Sequence, residues 1–451
     1  MAYSKHIEVE LKKAGVKEGD RISIKKDGKI YEGLLMPRTD IGNTNCLVVK
    51  LDSGYNIGLE FEGSVIEKIK SADSEEKEDK KAEFNTQKTK NKTLPIISIL
   101  GCGGTIASKV EYETGAVFPA FDQSDILKIF PNLQEFANIK PRKLFDLLSE
   151  DMHARHWEII AKEVAEEIKS GSQGVVLMHG TDTMHYTSAA LSFMLQNLPV
   201  PIVLVGAQRS SDRGSSDNFQ NLMCAARTAL SDVAEVSVCM HANSSDDYCF
   251  LHQGTKVRKM HTSRRDAFKS INTLPFAKMW VDGKIEYLRK DFNKRNSGKL
   301  KLDTKLNDSV CLIQCHPAIK PEFIQSLSKF YDGVVLSATG IGNVPANPHN
   351  DKFAKSIIPA VKSLVDSGIP VVVAPQTIYG RIQTNVYTAG RLLEQAGAIG
   401  NYCDWTPETA LVKLMWVLGH TKDMKEIKKM MLTNIAGEIT ERSLTEQEYP
   451  E

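Results

Sequence analysis

Two threonines occupy positions where a side-chain hydroxyl could carry out acyl chemistry. Thr105 lies in Gly101-Cys102-Gly103-Gly104-Thr105-Ile106, directly after the apolar run LPIISIL. Thr181 lies in His179-Gly180-Thr181-Asp182-Thr183, directly after GVVLM. A hydroxyl at the C-terminal end of a buried parallel strand sits where open α/β sheets place their ligands. Glycines beside it let backbone N–H groups approach a substrate closely. A threonine hydroxyl is a weak nucleophile and needs a base. No Ser/Thr–His–Asp order is present, whereas Asp182 supplies a carboxylate that can orient a lysine. A lone lysine would have to fall from about 10.4 toward 7.5, at a cost of about 4 kcal/mol of desolvation. Pairing with Asp182 opposes that fall, so the lysine is expected to share a proton network. The plainer reading makes each threonine a turn or helix N-cap hydroxyl, with Thr181-Asp182 starting the helix TMHYTSAALSFMLQ.

The elements that must position these turns are legible in the apolar pattern. From Leu94 onward LPIISIL, GVVLM, PIVLVGA and VSVCM alternate with helical segments such as DNFQNLMCAARTAL. Near-continuous apolar strands with crossover helices predict a parallel sheet covered on both faces. After the charged stretch RKDFNKRNSGKLKLDTK, a second block carries SVCLIQC, GVVLSAT and IPVVVAP, with helices expected near 320–330, 351–367 and 407–430. Residues 1–70 alternate in a strand-like way between DG, GN and SG turns, which predicts a small all-β module resembling an SH3-like barrel. Residues 71–93 are polar and charge-mixed and read as a solvated linker. The expected organisation is therefore a β module (1–70), a linker (71–93), a larger α/β domain (94–295) and a smaller one (296–451).

Composition excludes several function classes. With 57 basic against 56 acidic residues, no global field marks a nucleic-acid or membrane binder. No apolar run approaches the roughly 20 residues of a membrane helix, and MAYSKHIEVELKK lacks a signal-peptide core, so the expected compartment is the cytoplasm. The eight cysteines form no C-x-x-C pair and are expected as buried free thiols, Cys102 included. The turn 101–106 is not G-x-G-x-x-G, and no G-x-x-x-x-G-K-[ST] occurs, so the chain offers no ATP site. His153, His156 and the two histidines of HANSSDDYCFLH lack zinc spacings, and no metal is expected.

Together, G-x-G-G-T-I, H-G-T-D-T, LLSEDM and ATGIGNVP resemble the L-asparaginase/glutaminase family from about residue 94 to the end. The resemblance implies a two-domain asparaginase-like parallel-sheet fold preceded here by the small β-barrel module. It implies that Thr105 is acylated and that Thr181, Asp182 and a lysine form a triad. Within GTKVRKMHTSRRDAF that lysine is assigned to Lys256, with Lys259 as the less favoured alternative. It further implies that Ser149 and Glu150 hold the substrate head group. Tyr112 closes a loop over the substrate, and the turns of Gly104 and Gly180 present backbone N–H groups to it. Secreted members add a glutamate from the smaller domain; the matching segment RIQTNVYTAGR has no acid.

The N-terminal stretch GLLMPRTDIGNTNCLVVKLDSGYNIGL and its charged linker set the chain apart from ordinary asparaginases. They are similar to the D-subunit family of archaeal glutamyl-tRNA(Gln) amidotransferases. That resemblance implies a glutaminase passing ammonia to a partner, the amidotransferase E-subunit, which activates glutamate on Glu-tRNA(Gln) with ATP and Mg. No cofactor is implied in this chain, and a homodimer within a heterotetramer is. A free-standing asparaginase would instead be highly active alone on asparagine. A non-catalytic scaffold, whose β module binds RNA or protein, would turn over neither amide.

Overall fold

A computed structural model describes residues 3–36, 43–51, 56–69, 93–104, 108–110, 117–119, 126–127, 130–209 and 216–443. The expected linker, 71–93, lies outside them apart from Thr93.

The N-terminal module has its own core. Helix α1 (Lys5–Lys13) precedes strands β1 (Arg21–Lys26), β2 (Lys29–Leu35), β3 (Cys46–Leu51), β4 (Asn56–Glu60) and β5 (Val65–Lys68). The strands pair antiparallel in the order β4-β3-β2-β1-β5, and among the described residues no pairing joins β4 to β5. Helix α1 corrects the all-β expectation. Ser4 caps it by accepting from the Ile7 N–H, and it buries only Ile7 and Leu11, one turn apart, against Ile22, Ile24, Leu47 and Phe61. Two apolar positions in a single short helix are too few to register as a helical period.

The larger domain is built on strands β6 (Ile96–Gly101), β9 (Asn138–Lys143), β10 (Val175–Met178), β12 (Ile202–Val205), β13 (Val236–His241), β14 (Cys249–Gln253), β17 (Ala277–Met279) and β18 (Ile285–Tyr287). Short pairs flank it: β7 (Ser108–Val110) with β8 (Val117–Pro119), and β15 (Val257–Lys259) with β16 (Phe268–Ser270). Strand β11 (Leu195–Gln196) likewise meets β19 (Lys301–Leu302). The eight-stranded order is β18-β17-β14-β13-β12-β10-β6-β9. Strands β9, β6, β10, β12 and β13 run parallel, as expected. From β13 to β18 the pairing is antiparallel, which the run of apolar strands did not disclose. Helices α2 (Ala154–Lys169), α3 (Met184–Met194) and α4 (Asn218–Thr228) cover this sheet.

The smaller domain has a parallel sheet, β20 (Val310–Gln314), β21 (Gly333–Ala338) and β22 (Val371–Pro375), in that order. It carries helices α5 (Pro321–Ser326), α6 (Ile358–Asp366), α7 (Thr388–Gln395), α8 (Pro407–Leu418) and α9 (Met424–Leu432). One apolar cluster runs through both domains: Leu191 and Phe193 of α3 share it with Val335 of β21 and Leu414 and Trp416 of α8. The two α/β domains therefore meet through a common dry interior.

Several histidines are buried in this frame. Burial pushes His179, His185 and His241 down to about 4 and His252 down to about 3. A group depressed in the folded state, against 6.5 when unfolded, stabilises the fold above 6.5 and loses that contribution as pH falls toward 4. At 1.36 kcal/mol per pKa unit, a ring at about 4 is worth about 3 kcal/mol and His252 about 5. Denaturant unfolding measured between pH 7 and pH 4 should show stability falling steeply below 6.5; a flat profile across that window would contradict the burial of these rings.

Candidate active site

The lateral register between β6 and β10 brings the two threonine turns together. Gly101 pairs with Met178, so both strands end at the same level and release their turns side by side. The Cys102 N–H donates to Met178 O at 2.8 Å, and the His179 N–H to Val205 O at 2.9 Å. Glycine is required where the turns touch. Gly104 has φ +86°, and a Cβ there would lie 2.4 Å from Gly180 N. Gly103 has φ +95°, and its Cβ would lie 2.0 Å from Leu147 O. At Gly180 a Cβ would meet Ser149 Cβ at 2.6 Å. The glycine turn thus stacks on the Gly180 and Leu147 backbones, and Gly180 on the Ser149 side chain.

Thr181 and Asp182 emerge from this stack and find a lysine. Lys259 Nζ donates to Thr181 Oγ1 at 2.9 Å and to Asp182 Oδ1 at 2.7 Å. Its side chain is nearly buried, while Asp182 faces solvent at 64% exposure, so the ion pair opens on one side. Neither Thr181 nor Asp182 caps α3: the cap position is Thr183, whose hydroxyl donates to Ser149 O at 2.6 Å instead. Ser149 Oγ accepts from the Asp182 N–H at 3.2 Å. Ser149 is buried beside the triad, and Glu150 is exposed in the same one-turn 3-10 helix, Ser149–Asp151.

The lysine assignment is corrected. Lys256 is fully buried and its Nζ lies 2.9 Å from Asp404 Oδ2, also donating to Asp404 O at 3.1 Å. Strand alternation is the reason. Within β15, Val257 and Lys259 share one face and Arg258 takes the other; Lys256, in the bend just before the strand, lies on the Arg258 side. The second face meets the smaller domain, where Arg258 Nε donates to Glu408 Oε1 at 2.8 Å. Burial pulls the Lys256 ammonium down, and the Asp404 carboxylate opposes that pull.

A second correction concerns Gly104. Its N–H donates to Leu147 O at 3.1 Å, so it is committed to holding the turn and is unavailable to a substrate oxygen. Thr105 and Tyr112 lie outside the described residues.

Neighbouring candidates are used structurally. His179 Nδ1 bonds Gly180 O at 2.7 Å, and its Nε2 meets Thr187 Oγ1 at 2.9 Å, which in turn accepts from Trp157 Nε1 at 3.0 Å. With its ring pushed down to about 4, His179 is a neutral prop under the turn. His153 and His156 form the capping box of α2. Cys102 is buried with its thiol pushed up to about 12, which removes thiolate chemistry at neutral pH. Among the described residues no group of three His, Cys, Asp or Glu side chains is arranged to hold a metal, and no helix is long and apolar enough to cross a membrane.

Known proteins share this arrangement of domains. Residues 96–293 match the model "Asparaginase, N-terminal", and residues 309–431 match the "Glutaminase/Asparaginase C-terminal domain". Residues 16–69 match the "GatD N-terminal domain". The glutamyl-tRNA(Gln) amidotransferase D-subunit of Pyrococcus furiosus is 52% identical over 442 residues, 96% of this chain and 97% of that protein. The chain belongs to the D-subunit family of glutamyl-tRNA(Gln) amidotransferases. The Methanothermobacter thermautotrophicus member is 44% identical and covers 98% of each chain. Among solved structures, the thermostable L-asparaginase of Thermococcus kodakarensis aligns with TM-score 0.67 and 33% identity, over 77% of this chain and all of its own. L-asparaginase I of Vibrio cholerae aligns with TM-score 0.65 and 28% identity, over 77% of this chain and 99% of its own. The β-rich module of the family is therefore an addition to an asparaginase-like body.

Two substitutions separate the lysines. Lys259→Met should cost about 0–1 kcal/mol of stability, since its partner Asp182 is solvent-facing. Lys256→Met should cost about 3–5 kcal/mol, because Asp404 is left charged and buried. Denaturant melts of the two variants check this; equal losses would show that the two ion pairs are equivalent. Gly104→Ala, which forces a left-handed residue worth about 1–3 kcal/mol of strain and a contact at 2.4 Å, should lower the unfolding midpoint well below that of wild type in the same measurement.

Proposed function

We propose that this chain is the glutaminase of a tRNA-dependent amidotransferase, hydrolysing the glutamine side-chain amide and supplying ammonia to a partner, the amidotransferase E-subunit. That partner would use ATP and Mg to convert Glu-tRNA(Gln) to Gln-tRNA(Gln). The observation that carries the reading is the Thr181–Lys259–Asp182 cluster at the end of β10, with Nζ bonded to both side chains. It joins a hydroxyl, an amine and a carboxylate in one chain of hydrogen bonds, which is what an activated hydroxyl requires.

In the proposed sequence, Thr105 Oγ attacks the amide carbon of glutamine. Its proton passes through the Thr181–Lys259–Asp182 network to the departing nitrogen, which leaves as ammonia. Water then attacks the resulting ester, the network takes a proton from it, and glutamate leaves as Thr105 regains its hydrogen. Ser149 and Glu150 are assigned to the substrate head group, supported by the hydrogen bond that ties the Asp182 N–H to Ser149 Oγ. Tyr112 is assigned to closure over the substrate. The Gly180 turn is the remaining candidate for stabilising the developing oxyanion, an effect worth about 3 kcal/mol per donor. The assembly is proposed to be a homodimer of this chain within a heterotetramer in the cytoplasm, with no cofactor of its own.

Thr105→Ala, Thr181→Ala and Lys259→Met, each assayed with the partner and charged tRNA, should lose glutamine-driven amidation by two orders of magnitude or more, a scale consistent with removing a nucleophile or its base. Amidation driven by added ammonium should survive in all three. Retained glutamine-driven amidation in Thr105→Ala and Thr181→Ala would refute the proposal. The asparaginase-like body also favours testing the isolated chain on asparagine: high turnover without partner or tRNA would support a free-standing asparaginase instead.

A further inference from the structure

The cluster around Lys256 has no part in the proposed proton network, yet it ties the two α/β domains together through a dense group of polar side chains. Lys256 Nζ meets Asp404 Oδ2 at 2.9 Å, with side chains 0% and 2% exposed. Asp404 Oδ1 accepts from the Thr440 N–H at 2.9 Å, and Oδ2 from Thr440 Oγ1 at 2.5 Å. Arg381 closes the group by donating to Thr440 O and Thr440 Oγ1, each at 2.8 Å. Asn272 Nδ2 donates to Asp404 O at 2.8 Å from just beyond β16.

Thr440 belongs to the segment that follows α9 and returns across the larger domain. That segment is tied down along its length. Thr255 Oγ1 donates to Ala436 O at 3.0 Å, and Gln253 Nε2 to Gly437 O at 2.9 Å. Gly437 has φ +76°, and a Cβ there would lie 2.1 Å from Gln253 Nε2, so the segment lies directly on that side chain. Glu438 is buried, accepts from the Ile435 and Ala436 N–H groups, and pairs with Lys413 Nζ at 2.5 Å. The segment therefore grips the larger domain at Gln253 and Thr255 directly, and at Lys256 through Asp404. These three residues lead into β15.

Strand β15 is only Val257–Lys259, paired among the described residues with β16 alone. Three residues of hairpin do not by themselves fix a long side chain to within an ångström. Their approach direction is set by what holds Gln253–Lys256.

We propose that the C-terminal segment Asn434–Thr440, acting through Asp404 and Lys256, is a positioning device for Lys259. It clamps the near end of β15 so that the alternate face delivers Lys259 Nζ to Thr181 and Asp182. Asp404, Thr440 and Lys256 are positioning residues: none touches the triad, and each acts on it through the backbone of β15. This rests on the reading of Lys259 as the base of the glutaminase site. It adds that a segment contributed by the smaller domain is a working part of a site whose described members all belong to the larger one.

The test uses the full chain with its partner and charged tRNA, and separately the chain alone, with glutamine hydrolysis followed at saturating and limiting substrate. Thr440→Val removes the hydroxyl that bonds Asp404 and Arg381 but keeps the backbone N–H. It should lower kcat about tenfold or more, as a displaced catalytic group does, with KM within about twofold and the same folded fraction by circular dichroism. Thr440→Ser should restore kcat. Amide hydrogen exchange across Val257–Lys259 should quicken in the valine variant and return to normal in the serine variant. The proposal is overturned if Thr440→Val keeps kcat within about twofold, if activity falls only in proportion to folded protein, if the change is in KM alone, or if Thr440→Ser fails to rescue. Lys259→Met run in parallel separates the two claims. Wild-type hydrolysis in Lys259→Met would sink the reading of the site itself, whereas loss in Lys259→Met without loss in Thr440→Val sinks only the positioning role.

Discussion

The hydrogen-bond register between β6 and β10 is the constraint on which the site depends. Parallel strands pair at evenly spaced positions, so one alignment decides every residue beyond it. Placing Gly101 opposite Met178 makes both strands end together, and the glycine turn after each is then obliged to occupy the same space. The turns resolve that conflict with glycines: Gly104 rests on the Gly180 backbone, Gly103 on the Leu147 backbone, and Gly180 on the Ser149 side chain. Shifting the register by one residue would exchange the two buried faces of β6 and separate the turns. The buried rings and hydroxyl under the turn, His179, Trp157 and Thr187, are hydrogen-bonded in this arrangement.

Charge is distributed by burial in a way that separates structure from chemistry. Lys256–Asp404 and Lys413–Glu438 are ion pairs enclosed by protein, each with extra hydrogen bonds to carbonyls or N–H groups. Pairs of this kind hold geometry, since losing one partner leaves a charge stranded in a low-dielectric interior. Lys259–Asp182 has one member in solvent. That side of the pair is open to solvent. Within four residues the chain thus places an enclosed lysine against Asp404 and a lysine beside Thr181 and Asp182.

The two α/β domains are joined through a continuous apolar cluster and through the returning C-terminal segment, so the smaller domain is more than an appendage. Helix α8 packs against α3, the helix that begins just after Thr181 and Asp182, and the segment after α9 reaches the residues before β15. Both elements that carry the triad are therefore braced from the smaller domain. The N-terminal module stands on its own core of Ile7, Ile22, Leu47 and Phe61, in keeping with its being an addition to an asparaginase-like body.

Much of this was legible in the sequence, because it follows from local physics. Apolar runs marked β6, β10, β12, β13, β20, β21 and β22 nearly to the residue, and the strand-glycine-threonine pattern marked both turns. Helix α1 escaped because two buried positions make no period, and the antiparallel half of the large sheet escaped because a buried strand reads alike in either direction. The lysine was decided only by tertiary structure. Lys256 and Lys259 are equivalent in type and three residues apart, and nothing local says that one turns to Asp404 from the bend before β15 while the other ends that strand beside Asp182. Likewise, Gly104 carries an N–H that sequence offers to a substrate and the fold commits to Leu147. Residue type and order determined which groups could react; the pairing of distant strands and the return of the C-terminal segment decided which of them meet, because those contacts join residues that the chain itself keeps far apart.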